Sequence, residues 1–276
     1  MPLTLKSVEA GHGSRWVGDA FRLFARKPLA FTAMGLLPGV LATLLPVLPL
    51  AMAALSLFSL PLLSLGFMVA AQSALLNGPV HVRQVLEPLR GDPARRRALF
   101  KLCAGYVLLL VLASLVAATF SSGALAQLQG LDRTSPDFAT KAEALAPALS
   151  RAFGVMLLLY ALISVPYWHA PALVHWGGQG AKQALFSSTL ALWRTRGAVA
   201  VYLLCWAGVL LLMFVLVAIL GSALAVQGPS VVVAFIAVLM TAALYAVFYI
   251  SALFCFNDTF GNAPTKAPAE EPLPPR

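Results

Sequence analysis

The sequence has few charged residues, and long stretches of it have none. Lys, Arg, Asp and Glu make up 11% of the 276 residues, against about 25% in an ordinary soluble domain. Residues 198–256 contain none of the four, and neither do residues 29–82. A soluble core helix needs no such run, whereas a bilayer crossing needs about 20 apolar residues. The shortage of charge therefore excludes an ordinary soluble domain and predicts a protein that crosses a membrane several times.

Patterns typical of catalysis and metal binding are also missing. The sequence contains no GxSxG, Walker A, HExxH or GxGxxG motif. Its three cysteines, Cys103, Cys205 and Cys255, have no CxxC spacing, so we interpret them as small buried apolar residues. His169 and His175 stand six positions apart and therefore on different faces of a helix. We predict a protein that is not an enzyme and that holds neither a metal nor an organic cofactor.

Proline, glycine and polar clusters divide the apolar blocks into six predicted transmembrane helices. Gly228 and Pro229, for example, separate the last two. The predicted fold class is all-α, a polytopic membrane protein with six transmembrane helices. Residues 1–28 are predicted to form a cytoplasmic arm and an amphipathic helix, residues 29–256 the transmembrane domain, and residues 257–276 a disordered cytoplasmic tail. The six predicted spans are about 29–51, 56–76, 98–120, 152–173, 198–225 and 230–256.

Basic and aromatic residues flank the apolar blocks. Residues 15–27 place aromatic and aliphatic side chains on one helix face and arginines on the other, and residues 181–196 show a related pattern. Such amphipathic helices are typical of the membrane interface on the cytoplasmic side. With a formal net charge of +9, the predicted partners are anionic lipid headgroups and not nucleic acid. The predicted interfacial residues are Arg15, Trp16, Arg22, Arg26, Lys27, Arg83, Arg95, Arg96, Arg97, Trp193, Arg194 and Arg196.

The distribution of positive charge predicts the orientation of the chain. Segments 1–28, 77–101, 174–197 and 257–276 carry sixteen of the 19 lysines and arginines, whereas the excursion at 121–151 carries three. An excess of Lys and Arg marks the cytoplasmic loops of membrane proteins. With six crossings, both termini are then cytoplasmic.

Few polar side chains stand inside the predicted spans. Gln72, Asn77 and His169 are the candidate intramembrane polar residues, and no Asp, Glu, Lys or Arg occurs within 29–82, 102–131, 152–181 or 198–256. Proton- and ion-coupled transporters usually carry an ionisable residue inside the membrane, so its absence argues against coupled transport. Five prolines nevertheless predict kinked helices whose freed backbone groups need partners: Pro38, Pro46, Pro61, Pro166 and Pro171.

Several short motifs together resemble those of a known family. Trp16 precedes Phe-Arg-Leu-Phe at 21–24, and Trp-His-Ala-Pro-Ala-Leu-Val occupies 168–174. Lys-Gln-Ala-Leu-Phe-Ser-Ser at 182–188 has one extra residue, and Asn-Asp-Thr-Phe at 257–260 has Asn where the family has Arg. The chain thus resembles uncharacterised proteobacterial six-helix integral inner-membrane proteins and, more distantly, the membrane domain attached to some glycerophosphodiester phosphodiesterases. The resemblance implies a bacterial inner-membrane location and six helices, and no established activity.

The sequence leaves two functions open. The first is a non-enzymatic accessory or organising membrane protein that acts through lipid and helix contacts. The alternative is a transporter or channel for a small or amphipathic solute through a Pro-kinked helix bundle. A short internal repeat supports the alternative, since residues 20–27 align with 189–196 at an offset of 169. A cavity lined by kinked helices and by Gln72, Asn77 or His169 would favour it further.

Overall fold

All regular structure in the described part of the chain is helical, which confirms the all-α prediction there. The computed structural model describes residues 3–44, 50–131, 137–225 and 231–261. The α-helices are α1 (His12–Arg26), α2 (Pro28–Leu44), α3 (Leu50–Leu75), α4 (Pro93–Thr119), α5 (Ala124–Gln129), α6 (Phe138–Tyr167), α7 (Ala170–Gly177), α8 (Ala181–Arg194), α9 (Arg196–Ala225) and α10 (Val231–Phe260). Two short 3₁₀ helices, Val82–Val85 and Glu87–Arg90, connect α3 to α4.

Five helical stretches within the described ranges are long and apolar enough to cross a membrane: Ser56–Leu75, Pro93–Thr119, Phe138–Gly177, Arg196–Ser222 and Val231–Phe260. Of the predicted first span, 29–51, residues 29–44 lie in α2 and 50–51 in α3, while 45–49 lie outside the described residues. The described part of α2 has 17 residues and is about 25 Å long at 1.5 Å per residue. The predicted last turn within 226–230 and the tail at 262–276 lie outside the described residues.

The long helices follow one another as three pairs: α2 with α3, α4 with α6, and α9 with α10. The connections between the pairs meet at one end of the molecule. There the backbone N–H of Lys6 donates to the carbonyl of Thr259 at 2.8 Å, and Arg95 donates to the carbonyl of His175 at 3.2 Å. The four segments that meet carry most of the lysines and arginines, and we call them the basic end: residues 3–28, 77–97, 174–197 and 257–261.

The kink between α6 and α7 is held by a side chain from α8. Pro166 and Pro171 flank the kink, where the regular helical hydrogen bonds are interrupted. Ser188 Oγ accepts from the backbone N–H of His169 at 3.0 Å and donates to the carbonyl of Val165 at 3.2 Å. A buried backbone group left without a partner costs about 1–3 kcal/mol, so this completely buried serine both satisfies the kink and fixes α8 against it.

The two short helices that precede a long apolar helix, α1 and α8, present matching buried faces. α1 packs on α9 and α10, whereas α8 packs on α6 and α7. The buried positions align at an offset of 168, one less than the sequence alignment predicts. The sequence alignment matches basic residues at the helix ends, whereas packing selects the side chains that face the protein. The matched pairs are Trp16 with Ala184, Ala20 with Ser188, and Leu23 with Ala191.

Candidate functional site

A cavity of about 480 Å³ lies between α2, α3, α4, α6 and α10. Small-molecule sites typically measure about 300–1,000 Å³, so the cavity is large enough for a ligand. Trp168 and Phe248 form part of its wall. The rest of its aromatic wall consists of five of the six tyrosines in the sequence, and we call it the tyrosine cavity: Tyr106, Tyr160, Tyr167, Tyr245 and Tyr249.

The tyrosine cavity lies half-way along its helices. Tyr106 stands 13 residues from either end of α4. Tyr245 stands 14 residues from the start of α10 and 15 from its end. At 1.5 Å per residue, both tyrosines are about 20 Å from each helix end. In a membrane this is the depth of the hydrocarbon core, where tyrosine is unusual because it normally collects at the two interfaces.

Proline and glycine open the space between the helices. Pro38 of α2 and Pro61 of α3 both stand inside their helices and line the cavity. Gly39 lines it too, and a methyl group added there would meet no other element within 4 Å. One turn earlier, a methyl group on Gly35 would lie 2.0 Å from the carbonyl oxygen of Ala242 in α10. α2 therefore touches α10 at Gly35 and leaves room beside Gly39.

The tyrosine hydroxyls of the cavity are paired. The hydroxyl groups of Tyr106 and Tyr160 are close enough to interact, and so are those of Tyr245 and Tyr249. The ring centroids of Tyr245 and Tyr249 are 4.8 Å apart, and those of Tyr106 and Tyr167 are 5.0 Å apart. A phenol hydroxyl has one hydrogen to donate and also accepts. Each pair needs at most one of its two hydrogens for an interaction within the pair, so at least one is available for another acceptor.

The aliphatic hydroxyls of the cavity wall donate to their own helices. Ser64, Ser164 and Thr241 each donate to a main-chain carbonyl three or four residues earlier, at 2.9, 2.8 and 2.8 Å. Such local bonds commit the hydroxyl hydrogen to the backbone. Among the hydroxyl groups of the described wall, those of the tyrosines therefore remain as donors for a ligand.

Among the described residues, no Asp, Glu, Lys, Arg or His lines the cavity. Placing a charge near the middle of a membrane without a partner costs at least about 2.5 kcal/mol. Among the described residues, no group of three or more His, Cys, Asp or Glu could hold a metal ion. What the cavity offers to a ligand is its shape, ring stacking and hydrogen bonds.

The three predicted intramembrane polar residues lie outside the tyrosine cavity. Gln72 is half-buried near the end of α3, and Asn77 is exposed in the following turn. His169 is completely buried at the kink between α6 and α7, where its Nε2 lies 3.7 Å from Sγ of Cys255 and its ring packs on Phe260. A cavity lined by these residues would have favoured transport, but the cavity that forms is lined by tyrosines. The signal in the sequence that could have located it was the position of the tyrosines half-way along the predicted spans.

Most of the predicted interfacial residues are exposed at the basic end. Trp193 is 69% exposed, and the guanidinium of Arg196 lies 5.4 Å from the centre of its ring. Lys27 is half-buried and donates to the carbonyl of Gly78. The other exposed members of the set are Arg15, Arg22, Arg26, Arg83, Arg95, Arg96, Arg97 and Arg194.

Trp16 differs from the rest of that set because it lies inside the protein. Its side chain is 1% exposed, and its indole N–H donates to Oδ2 of Asp258 at 2.8 Å. His12 Nδ1 lies 2.8 Å from the same oxygen. α9 and α10 cover the apolar face of α1, so this face meets protein where the sequence predicts lipid. Asp258, which stood out only as part of the 257–260 motif, thus joins α1 to α10.

A helical chain with five stretches of membrane-spanning length and a cavity at their mid-depth is an integral membrane protein. It is similar to a protein of Burkholderia thailandensis described as a probable inner membrane protein. The two are 29% identical over 270 residues, which cover 95% of this chain and 97% of the relative. No family model matches the chain, and no solved structure matches it either. These comparisons provide no link to the glycerophosphodiester phosphodiesterases.

Proposed function

We propose that the protein is a non-enzymatic transporter or channel of the bacterial inner membrane, which binds a small amphipathic solute in the tyrosine cavity. The observation that carries this proposal is the cavity itself, with about 480 Å³ of space between proline-containing helices. The cavity is open on one side and has the size of a small-molecule site, and a protein that acts only through helix and lipid contacts does not need such a recess. The description of the similar Burkholderia protein supports the inner-membrane location.

The proposed topology has six crossings with the basic end and both termini in the cytoplasm. The excess of lysines and arginines in the predicted cytoplasmic segments supports this orientation. α2 is the sixth crossing in this proposal. Its described part, Pro28–Leu44, is about 25 Å long, which accounts for most of the roughly 30 Å of the hydrocarbon core. Fusions of a reporter enzyme after residues 28, 101 and 151 test the orientation, with the first two expected on the same side.

Solute movement is tested by reconstituting the full chain into liposomes preloaded with nicotinamide, benzamide or coumarin, three small neutral amphipathic solutes. We expect the wild-type protein to speed the release of at least one of the three relative to empty liposomes. Gly39→Leu adds a large side chain at the cavity wall, where an added Cβ atom has nothing within 4 Å, and should reduce this release to the empty-liposome rate. Gly208→Leu is the matched control, because Gly208 of α9 is also exposed and also has open space beside it, far from the cavity wall. Equal release from wild-type and Gly39→Leu liposomes would disprove the proposal.

An accessory or organising protein that acts through lipid contacts is the second candidate function. The observation in its favour is the row of exposed arginines at the start of α4, Arg95, Arg96 and Arg97. Near an anionic membrane surface each basic residue contributes about 1 kcal/mol of attraction.

Lipid selectivity tests this second candidate. We expect the full chain in nanodiscs to prefer spin-labelled phosphatidylglycerol over spin-labelled phosphatidylcholine. Arg96→Gln with Arg97→Gln should lower that preference by about fivefold or more. The matched control is Lys141→Gln with Arg151→Gln, which removes two charges from α6 within the predicted outer excursion and should leave the preference unchanged. A preference that responds equally to both pairs would contradict a specific role for the basic end.

A further inference from the structure

We infer that the tyrosine cavity takes an uncharged, ring-bearing, membrane-soluble molecule that carries hydrogen-bond acceptors, and that this molecule arrives sideways from the hydrocarbon between α6 and α10. The inference rests on the proposed function, since it names the class of solute for the same cavity. Four observations on the cavity wall lead to it: its charge, its donors, its rings and its exposure.

The charge of the wall excludes ionised ligands. In the part of the chain that the structure describes, no acidic or basic side chain lines the cavity, and Tyr106 and Tyr245 stand about 20 Å from either end of their helices. An ion here would lose its hydration without gaining a counter-charge. An aromatic box attracts organic cations, yet the attraction is about 2 kcal/mol when desolvated, less than the cost of leaving a charge uncompensated at this depth. The ligand is therefore neutral.

The donors of the wall select for acceptors on the ligand. Tyr106, Tyr160, Tyr245 and Tyr249 all line the cavity, and each neighbouring pair needs at most one of its two hydroxyl hydrogens for an interaction within the pair. In surroundings free of water, a carbonyl or ether oxygen that receives such a hydrogen contributes a full hydrogen bond. An acyl chain has no acceptor and would leave these hydrogens without a partner. The ligand therefore carries oxygen or nitrogen acceptors.

The rings of the wall favour a flat ligand. Trp168 lies edge-on to Phe248 at a centroid distance of 5.6 Å, and the Tyr245 and Tyr249 rings are 4.8 Å apart. Aromatic pairs gain about 0.5–1.5 kcal/mol beyond the burial of their area. A molecule with planar rings extends this stacking. A flexible chain loses more conformational entropy when it is held against the same contact area.

The exposed part of the wall faces hydrocarbon, which makes the route lateral. Tyr106 and Tyr167 are buried at the back of the cavity, while Tyr160 is 42% exposed and Thr241 is exposed at its mouth. In the described residues, α10 packs along α1, α2 and α3, and α6 packs along α4 and α8. α6 and α10 flank the mouth and meet at the end of α6, where Trp168 contacts Phe248. Both exposed residues stand inside stretches of membrane-spanning length, and the mouth therefore meets lipid and not water.

The class of ligand is tested by equilibrium binding of tritiated menadione to the full chain in nanodiscs. Menadione is a neutral two-ring molecule with two carbonyl acceptors. Two competitors are compared with it: 2-methylnaphthalene, which has the rings without acceptors, and tetraphenylphosphonium, which has rings and a charge. We expect saturable binding of menadione at one site per chain, at least tenfold weaker competition by 2-methylnaphthalene, and no competition by tetraphenylphosphonium.

Single hydroxyl deletions separate the tyrosine cavity from other sites. Tyr160→Phe and Tyr245→Phe should each weaken menadione binding by about threefold to tenfold, the effect of one lost hydrogen bond. Tyr202→Phe is the matched control, because Tyr202 is the sixth tyrosine, lies outside the cavity wall and pairs with Ser251 at 2.8 Å. It should leave binding unchanged, and size-exclusion profiles show that each variant remains folded.

The outcomes distinguish the ligand class from the proposed function. If Gly39→Leu abolishes menadione binding while both Tyr→Phe variants bind normally, or if either competitor binds more tightly than menadione, the ligand class is wrong and a cavity function remains. If Gly39→Leu leaves the binding of all three molecules unchanged, the cavity is not a site and both proposals fail. Thr241→Trp should slow menadione association at least tenfold by narrowing the mouth, and an unchanged association rate would overturn lateral access.

Discussion

The basic end and the tyrosine cavity are both lined by aromatic side chains, and they differ in how closely the backbones approach. At the basic end, a methyl group added to Gly13 of α1 would lie 2.1 Å from the carbonyl oxygen of Ala198 in α9. At the cavity, a methyl group on Gly39 would have open space. Glycine thus serves two purposes in one molecule. In one place it allows helices to touch, and in the other it leaves room for a ligand.

The polar groups of the two regions differ in the same way. At the basic end, Trp16 and His12 both reach one carboxylate oxygen of Asp258, so the bonds are made within the protein. In the cavity, each neighbouring tyrosine pair needs at most one of its two hydroxyl hydrogens for an interaction within the pair. The comparison indicates a rigid end that fixes the arrangement of the helices and a middle that remains able to bind. Three substitutions test this contrast, beginning with the largest expected effect.

Gly13→Val should destabilise the protein most. The added side chain would collide with the main chain of Ala198 and Tyr202, and a backbone cannot move aside as a side chain can. We expect the free energy of unfolding to fall by about 3 kcal/mol, measured as a lower midpoint of thermal unfolding in detergent. Gly208→Val, with open space beside it, is the control. Equal midpoints for the two variants would show that α1 is not held tightly against α9.

Asp258→Ala should have an intermediate effect. It removes the acceptor of the Trp16 indole, which is buried and 242 residues away in the chain. The cost is expected near the lower limit of about 1 kcal/mol, because the Asp258 side chain is 40% exposed and water can replace part of the bond. The fluorescence of the protein should also shift to longer wavelength as Trp16 loosens. Asp19→Ala, which breaks only the surface pair with Arg22, should change neither the unfolding midpoint nor the emission.

Gly39→Ala should have the smallest effect on stability. The methyl group meets no other element, and replacing glycine by alanine inside a helix stabilises by at most about 1 kcal/mol. Gly35→Ala, one turn away on α2, should instead destabilise, since its methyl group would lie 2.0 Å from the Ala242 carbonyl oxygen. Thermal midpoints of the two variants measure the contrast directly. If both substitutions destabilise equally, the space beside Gly39 is not open.

The basic end can be predicted from the sequence more readily than the cavity, because the charge pattern of a helix is local whereas a cavity depends on how several helices pack. Exposed arginines such as Arg96 and Arg194 follow from local pattern, because a charged side chain avoids the apolar interior wherever the helix lies. Trp16 was expected at the lipid surface from the same kind of pattern. It is buried because α9 and α10 cover the face that carries it, and the helix period alone does not say what an apolar face will meet.

The prolines of α2 and α3 show the same limit. Pro38 and Pro61 stand inside these helices and line the cavity. A proline in the sequence predicts a disturbed helix without predicting how much space opens beside it, because that space depends on how the neighbouring helices pack.

The order of the amino acids is sufficient for the helical class, the membrane-spanning lengths and the clustering of positive charge, because hydropathy and helix formation depend on neighbours a few residues away. The tyrosine cavity and the hydrogen bond between Trp16 and Asp258 are determined only by the tertiary structure. Each depends on side chains from helices distant in the sequence, and a change of one helical turn in their packing would separate them. Contacts of this kind are set by which helix faces fit together, and no single segment contains that information.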